Sequence, residues 1–211
     1  MEQSAVAICN KALTKIGNTA HFDDFEDPTE EARVAKSVYE QSRDLVLESA
    51  DWPFATRRAS PPPLANFVRT NWAYGFNLPV DFLKLQEIIV EGSVLPIPEI
   101  RAEYQIEAND AGTGRVLLTN LDVIEIKYTA RIENVAAYSA HFVRALVLLL
   151  ASEFAAGLKK DANLALSLEK QYDVRVTEAS AFEKNQREIQ KLEPTTPSLR
   201  ARGGNGLSST E

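Results

Sequence analysis

The stretch WAYGFNLPVDFLKL, Trp72 to Leu85, decides how the two halves of this chain are joined. Four aromatics, Trp72, Tyr74, Phe76 and Phe82, flank a Leu-Pro-Val-Asp step that runs into an apolar segment. Proline fixes its own φ and drives the residue before it to an extended conformation, so Leu78-Pro79 cannot continue a helix. Asn77 to Asp81 reads as the place where a helical half gives way to a sheet. The aromatics are expected to pack around that junction rather than to line a ligand pocket.

Upstream, Ala5, Ile8, Cys9, Ala12, Leu13 and Ile16 recur at helical spacing, and Gly17-Asn18 closes the run with a glycine cap. Asp27-Pro28-Thr29-Glu30 predicts the start of a second helix. Asp27 suits the N-cap, Pro28 the first helical position and Glu30 the capping-box return. Ala35, Val38, Tyr39, Ser42, Leu45, Val46 and Ser49 form its face, which ends near Asp51 where Trp52-Pro53-Phe54 stops it. Ala59-Ser60-Pro61-Pro62-Pro63 fits neither helix nor central strand and reads as a stiff polyproline connection.

Downstream, Leu83 to Val90 reads as a strand turned at Glu91-Gly92, with Val94 to Ile97 as its short partner. Glu103 to Glu107, Arg115 to Thr119 and Val123 to Thr129 are further strands, with turns at Asn109 to Gly114 and Asn120 to Asp122. Residues 82 to 131 then make one small, mainly antiparallel sheet. Tyr138 to Gly157 is apolar on nearly every side, the mark of a buried central helix. Asp161 caps a last helix whose stripe is Ala165, Leu168, Tyr172, Val176, Ala179, Phe182 and Ile189. Running to about Lys191, that helix would be roughly 45 Å long, more than a domain of this size needs for its own core.

The first two helices cannot bury their stripes alone, so the last two must pack back on them. The expected class is α+β: a four-helix core from residues 1–58 and 134–192, with a mainly antiparallel β region, 59–133, inserted between helices 2 and 3. The polar segment 193–211 is expected to be an extended C-terminal tail that docks on a partner.

The 211 residues carry a net charge of −7, which argues against a general nucleic-acid binder held by a basic face. A single cysteine, Cys9, rules out a disulfide framework within the chain and zinc sites built on several cysteines. No signal peptide is visible at the N-terminus. The most apolar run, Ala145 to Ser152, is far shorter than the roughly 20 residues that span a bilayer. The expectation is a soluble protein made in a cytoplasm.

Little in the chain points to chemistry. His21 and His141 lie far apart, and His141, before a buried helix, reads as a structural histidine. Cys9, on the apolar stripe of the first helix, reads as a buried thiol rather than a nucleophile. Gly112-Thr113-Gly114 lacks the spacing of a phosphate cradle and fits a β-turn. Glu26, Asp27, Glu30 and Glu31 fit a solvated helix start, where the dipole favours negative charge. No catalytic, cofactor-binding or metal-binding residue is assigned, and the chain is expected not to be an enzyme. Paired carboxylates for glycoside hydrolysis remain possible, without a cue to which. Arg57-Arg58 and Arg200 with Arg202 are basic spots on an acidic chain. They read either as solvated charge or, with Pro194 and Leu199 in the tail, as residues that dock on an acidic protein surface.

Four pieces taken together resemble the tail tubular protein A family, the head-to-tail adaptors or gatekeepers of short-tailed bacteriophages. They are AICNKALTKIGN, DPTEEARVAKSVYEQSRDLVLESADWPFAT, the step NLPVDFLKL, and the late helix pair that begins AHFVRALVLLLASEFAAGL. They span residues 4 to about 190. The tail after Glu193 is longer and richer in Gly and Ser than the family pattern. The resemblance implies a ring of copies, typically twelve, between the portal protein and the tail nozzle protein. Such a ring stays in the virion and helps retain the genome until ejection. The negative charge of each chain would let DNA slide through the lumen without binding. Two other readings stay open: a tail-associated peptidoglycan hydrolase, and a small cellular binding module with the aromatics around Trp72 as its pocket.

Overall fold

A computed structural model describes residues 4–65, 67, 69–89, 103–109 and 112–188, the last six as backbone only. Ser4 opens α1 (Ala5–Lys15) by accepting a hydrogen bond from the Ala7 amide at 3.1 Å. Gly17 ends it in a left-handed conformation, φ +69°. The Gly17 and Asn18 amides bond back to the Thr14 and Leu13 carbonyls at 3.0 Å each, the double closure of a Schellman cap.

The second helix, α2 (Glu30–Ser49), starts later than its sequence predicts. Thr29 is the N-cap and accepts from the Ala32 amide at 3.2 Å. Asp27 instead closes the preceding loop, accepting from the Asp23 and Asp24 amides at 2.7 and 3.0 Å. Its buried arc is also wider than one stripe. Arg43 and Leu47 are buried and Leu45 is 51% exposed, because α2 touches both a helix and strands of a sheet. Trp52 then stops the helix as expected. Its side chain is fully buried, and its indole N–H donates to the Val46 carbonyl at 2.7 Å.

The β region holds two small sheets, not one. Strands β1 (Thr56–Ala59), β6 (Glu125–Ala130) and β3 (Phe82–Ile89) form the first, in the order β1-β6-β3. Strands β2 (Tyr74–Asn77), β5 (Arg115–Thr119) and β4 (Tyr104–Ala108) form the second, in the order β2-β5-β4. All four pairings are antiparallel. The boundary at residue 58 therefore falls inside β1. The expected turn at Glu91-Gly92 and strand Val94 to Ile97 lie outside the described residues.

This arrangement corrects the reading of the Leu-Pro-Val-Asp step. Strands precede it as well as follow it, so it carries the chain from one sheet to the other. The Leu78 amide still bonds to the Arg115 carbonyl of the second sheet at 2.9 Å. Three residues on, the Asp81 carbonyl accepts from the Arg131 amide, just past β6 of the first sheet, at 2.7 Å. The aromatics divide accordingly. Phe76 and Phe82 are buried, Trp72 is half-buried and Tyr74 is exposed.

The third helix, α3 (Ala140–Gly157), is capped by Ser139 and packs against α1, α2 and α4 (Ala162–Glu188). By length and composition alone α3 could cross a membrane, but 67% of it is buried inside the fold, as expected of the central helix of a bundle. Asp161 caps α4, accepting from the Leu164 amide at 3.0 Å. The α4 stripe buries Leu168, Tyr172 and Ala179, while Phe182 stays 48% exposed at its edge. Ile189 and the stretch to Lys191 lie outside the described residues.

Candidate interaction surfaces

The sheet-to-sheet turn is a braced surface feature. Val80, at its tip, is 100% exposed, yet the residues around it are held from several directions. Pro79 accepts from the Phe82 amide at 3.0 Å. The Asp81 carboxylate accepts from the Tyr128 hydroxyl at 3.1 Å and pairs with Arg57 at 2.5 Å. Burial raises the Tyr128 hydroxyl pKa, and its hydrogen bond to ionised Asp81 raises it further. An open cleft of about 450 Å³ lies beside the turn, between Arg57, Val80 and Arg131.

Arg57 and Arg58 are thus edge-strand residues whose charges already have partners. Arg58 approaches Glu125 at 3.6 Å, with its side chain 60% exposed. Both guanidiniums remain open to solvent on one side, and what they do inside the fold is pair β1 with its surroundings. The tail residues Pro194, Leu199, Arg200 and Arg202 lie outside the described residues.

The helical end of the molecule carries a second polar junction. Arg43 is 6% exposed and is held by Asp44, whose Oδ1 accepts from its Nε and Nη2, both at 2.9 Å. The other oxygen of Asp44 accepts from Arg131 Nε at 2.8 Å, which ties α2 to the segment leaving β6. Burial works against the Arg43 charge, and Asp44 outweighs it. Tyr39 sits beside this group, and burial, then Tyr138, pushes its hydroxyl well above the ordinary phenol range.

The outward face of α2 is different. It forms a shallow groove that includes Ser37, Glu40, Gln41, Leu45 and Glu48. Leu45 is half-exposed there, and Glu40 and Glu48 make no side-chain hydrogen bond or ion pair among the described residues.

The groups expected to be inert are placed as follows. Cys9 is fully buried, and burial pushes its thiol up to about 12, which keeps it protonated and unreactive at neutral pH. His141 differs from its expectation. It lies within α3, is exposed, and meets the Phe182 ring at a tilt of 36° with centroids 5.2 Å apart. His21 is exposed and bonds to the Thr14 hydroxyl at 3.2 Å. β4 and β5 pair antiparallel, and the described residues between them bond across the connection, the Gly112 amide to the Asn109 carbonyl at 2.9 Å. Gly112 has φ +67°, and the Asn109 side chain accepts from the Thr113 and Gly114 amides at 2.9 and 3.2 Å. Glu26 and Glu30 pair with Lys36 and Arg33 on the solvent side. Asp27 is held below the usual carboxylate range by its two loop amides. Among the described residues, no three His, Cys, Asp or Glu side chains are placed to share a metal ion.

No protein-family model matches the chain, and no curated protein matches it in sequence.

Asp81 and Asp44 are the organising residues that sequence reasoning missed. Asp81 stood in plain sight inside the Leu-Pro-Val-Asp step. Its partners Arg57 and Tyr128 are 24 and 47 residues away, and no local pattern pairs them. The stripe expected for α2 places Leu45 on the buried face and leaves out Leu47, and the structure reverses the two. Only the strands lying on α2 decide which is buried.

Proposed function

We propose that the chain is a structural adaptor subunit that assembles in copies into a ring between a phage portal and a tail nozzle, and ends in the virion. The observation that carries this reading is the length of α4 against the helix it packs on. At 1.5 Å per residue, α4 is about 40 Å long and α3 about 27 Å. The two run antiparallel, and the Phe182 ring packs at a tilt against His141, the second residue of α3. Residues 183–188 therefore carry α4 roughly 9 Å past the start of its support. A helix that outruns its own core offers its free end, and the 55% exposed Leu166 and Val174 on its outer side, to a neighbouring copy. The family resemblance supplies the portal and nozzle as partners. A ring of chains at −7 each leaves DNA free to slide through the lumen.

The test is the mass of the purified chain in solution, alone and mixed with the portal protein of the same phage. A stoichiometric ring on the portal is expected, and Leu166→Glu with Val174→Glu should abolish it while leaving the helical circular dichroism unchanged. A monomer under both conditions overturns the reading. Clearing of peptidoglycan by that monomer would turn it toward a hydrolase.

A further inference from the structure

The outer face of α2 carries carboxylates without a side-chain partner among the described residues, and the chain leaving α2 reaches the same half of α3 as the far part of α4. Two contacts establish the latter. Trp52, just after α2, meets Phe142 edge-on at 5.3 Å. Phe182, in the last third of α4, packs at a tilt against the adjacent residue, His141, at 5.2 Å. Trp52, three residues past α2, and Phe182, six residues before the end of the described α4, therefore touch consecutive residues of α3, while Ser49, the last residue of α2, lies against Tyr172 farther back along α4. Residues 189–211 start about 9 Å beyond Phe182.

The face and the tail are complementary. On α2, Glu40 and Glu48 are ionisable groups without a side-chain partner among the described residues, and Leu45 is 51% exposed beside them. Asp44, between them, is already held by Arg43 and Arg131. In the tail, Arg200 and Arg202 stand two apart, with Ala201 between them. Glu40 and Glu48 are about 12 Å apart along the helix axis. Two arginines spaced i, i+2 in an extended segment have Cα atoms about 7 Å apart and side chains long enough to splay to both carboxylates. Their aliphatic stems would then lie over Leu45. Arg200 lies 12 residues beyond Glu188, a span of up to about 40 Å when extended, which is ample to turn back on α2.

We propose that the Arg200-Ala201-Arg202 segment docks in cis on the outer face of α2, held by Glu40, Glu48 and Leu45. Exposed ion pairs are individually weak. A short tether raises the local concentration of the tail to the millimolar range, so a weak site is occupied within one chain yet gives way to a stronger partner. The contact would be a parking place that keeps the tail off other surfaces until such a partner arrives. The proposal stands on the single chain and does not require the portal.

Arg200 and Arg202 are themselves trypsin sites, which makes docking measurable on the intact protein. The initial rate of cleavage after them is followed by mass spectrometry at low salt. Docking predicts that Glu40→Gln with Glu48→Gln raises that rate about threefold or more, the loss of a tail that is docked most of the time. Raising salt should accelerate the unsubstituted chain in the same way and leave the variant little changed. Cleavage after Lys159, between α3 and α4, reports whether the variant remains folded. Equal rates in the two proteins overturn the proposal. So does protection that disappears on dilution, which would place the tail on a second copy. Both readouts are made without a portal, so failure here leaves the ring measurement to be judged separately.

Discussion

The helical core and the β region of this chain are held together by different kinds of contact. In the core, rings and aliphatic side chains pack around α3. Phe142 meets Tyr138, Phe54 and Trp52 with centroids 4.6, 5.1 and 5.3 Å apart, and Leu146, Leu150 and Phe154 are fully buried behind it. In the β region the recurring motif is a polar side chain that staples backbone or strands together. Gln86, at a register shift in β3, donates to the Thr56 and Thr129 hydroxyls at 3.1 and 2.9 Å and so links all three strands of its sheet. Arg115 donates to the Leu83 carbonyl at 2.9 Å and lies over the Phe82 ring, joining the two sheets. Apolar burial has no direction and scales with area, so it tolerates variation in detail. A staple depends on one geometry and contributes only about 1 kcal/mol net. The core should therefore decide whether the chain folds, and the staples should decide how the sheets are set on it.

The largest effect should come from Phe142→Ala. It removes a fully buried ring from the centre of the aromatic cluster and should cost about 3–5 kcal/mol in a denaturant titration. The loss should appear equally in helical and sheet signals, because both regions share one contiguous buried core. A loss confined to the helical signal would break the comparison, since the sheets would then be stable without the core.

Gly75→Ala should cost less and should stay local. An added Cβ would stand 2.6 and 2.7 Å from two ring carbons of Phe67, which covers this face of the second sheet. Moving that ring should cost about 1–3 kcal/mol. Hydrogen exchange should quicken in β2 and β5 and stay unchanged in α3. Equal acceleration in α3 would show that the second sheet and the core open as one unit.

The same division explains what could be read from the sequence. The stripe of α1, the stop at Trp52, the burial of α3 and the Asp161 cap follow from residues within a turn or two of one another, so local pattern contains them. Strand β5 was legible to the residue. Strands β1 and β2 were not, because each has only four residues and gains its order from pairing with β6 and β5, far along the chain. The same lack of locality hid the second sheet. The aromatic step was recognisable as a junction. Which elements it joins depended on Asp81 meeting Arg57 and Tyr128. Of the expected interface residues, Arg57 and Arg58 are placed by strand pairing that no helical or alternating period announces.

Asp81→Asn is the smallest change and the sharpest test of the staple idea. Asn keeps the shape but loses the charge that pairs with Arg57 and Tyr128. Arg57 is 54% exposed, so its ion pair contributes little by itself. The Tyr128 bond is better shielded, and the total loss should be about 1–2 kcal/mol at neutral pH. The alkaline limb separates this from a general loosening. Burial and Asp81 raise the folded-state Tyr128 pKa above its ordinary value of 10.0. A raised pKa means that the folded chain keeps its proton where the unfolded chain loses it. That contribution to stability is fully present below pH 10.0 and is lost as pH rises through the folded value. Without the Asp81 charge, burial and a bond to the Asn oxygen still raise Tyr128 while Arg57 lowers it, so its titration should shift down toward 10.0 and its share of the alkaline decline should end at a lower pH. Ultraviolet difference titration reads the phenolate directly. A Tyr128 titration unmoved in the variant would mean that burial alone sets it. The turn would then be held by Pro79 and the backbone bonds of Leu78 and Asp81, not by the carboxylate.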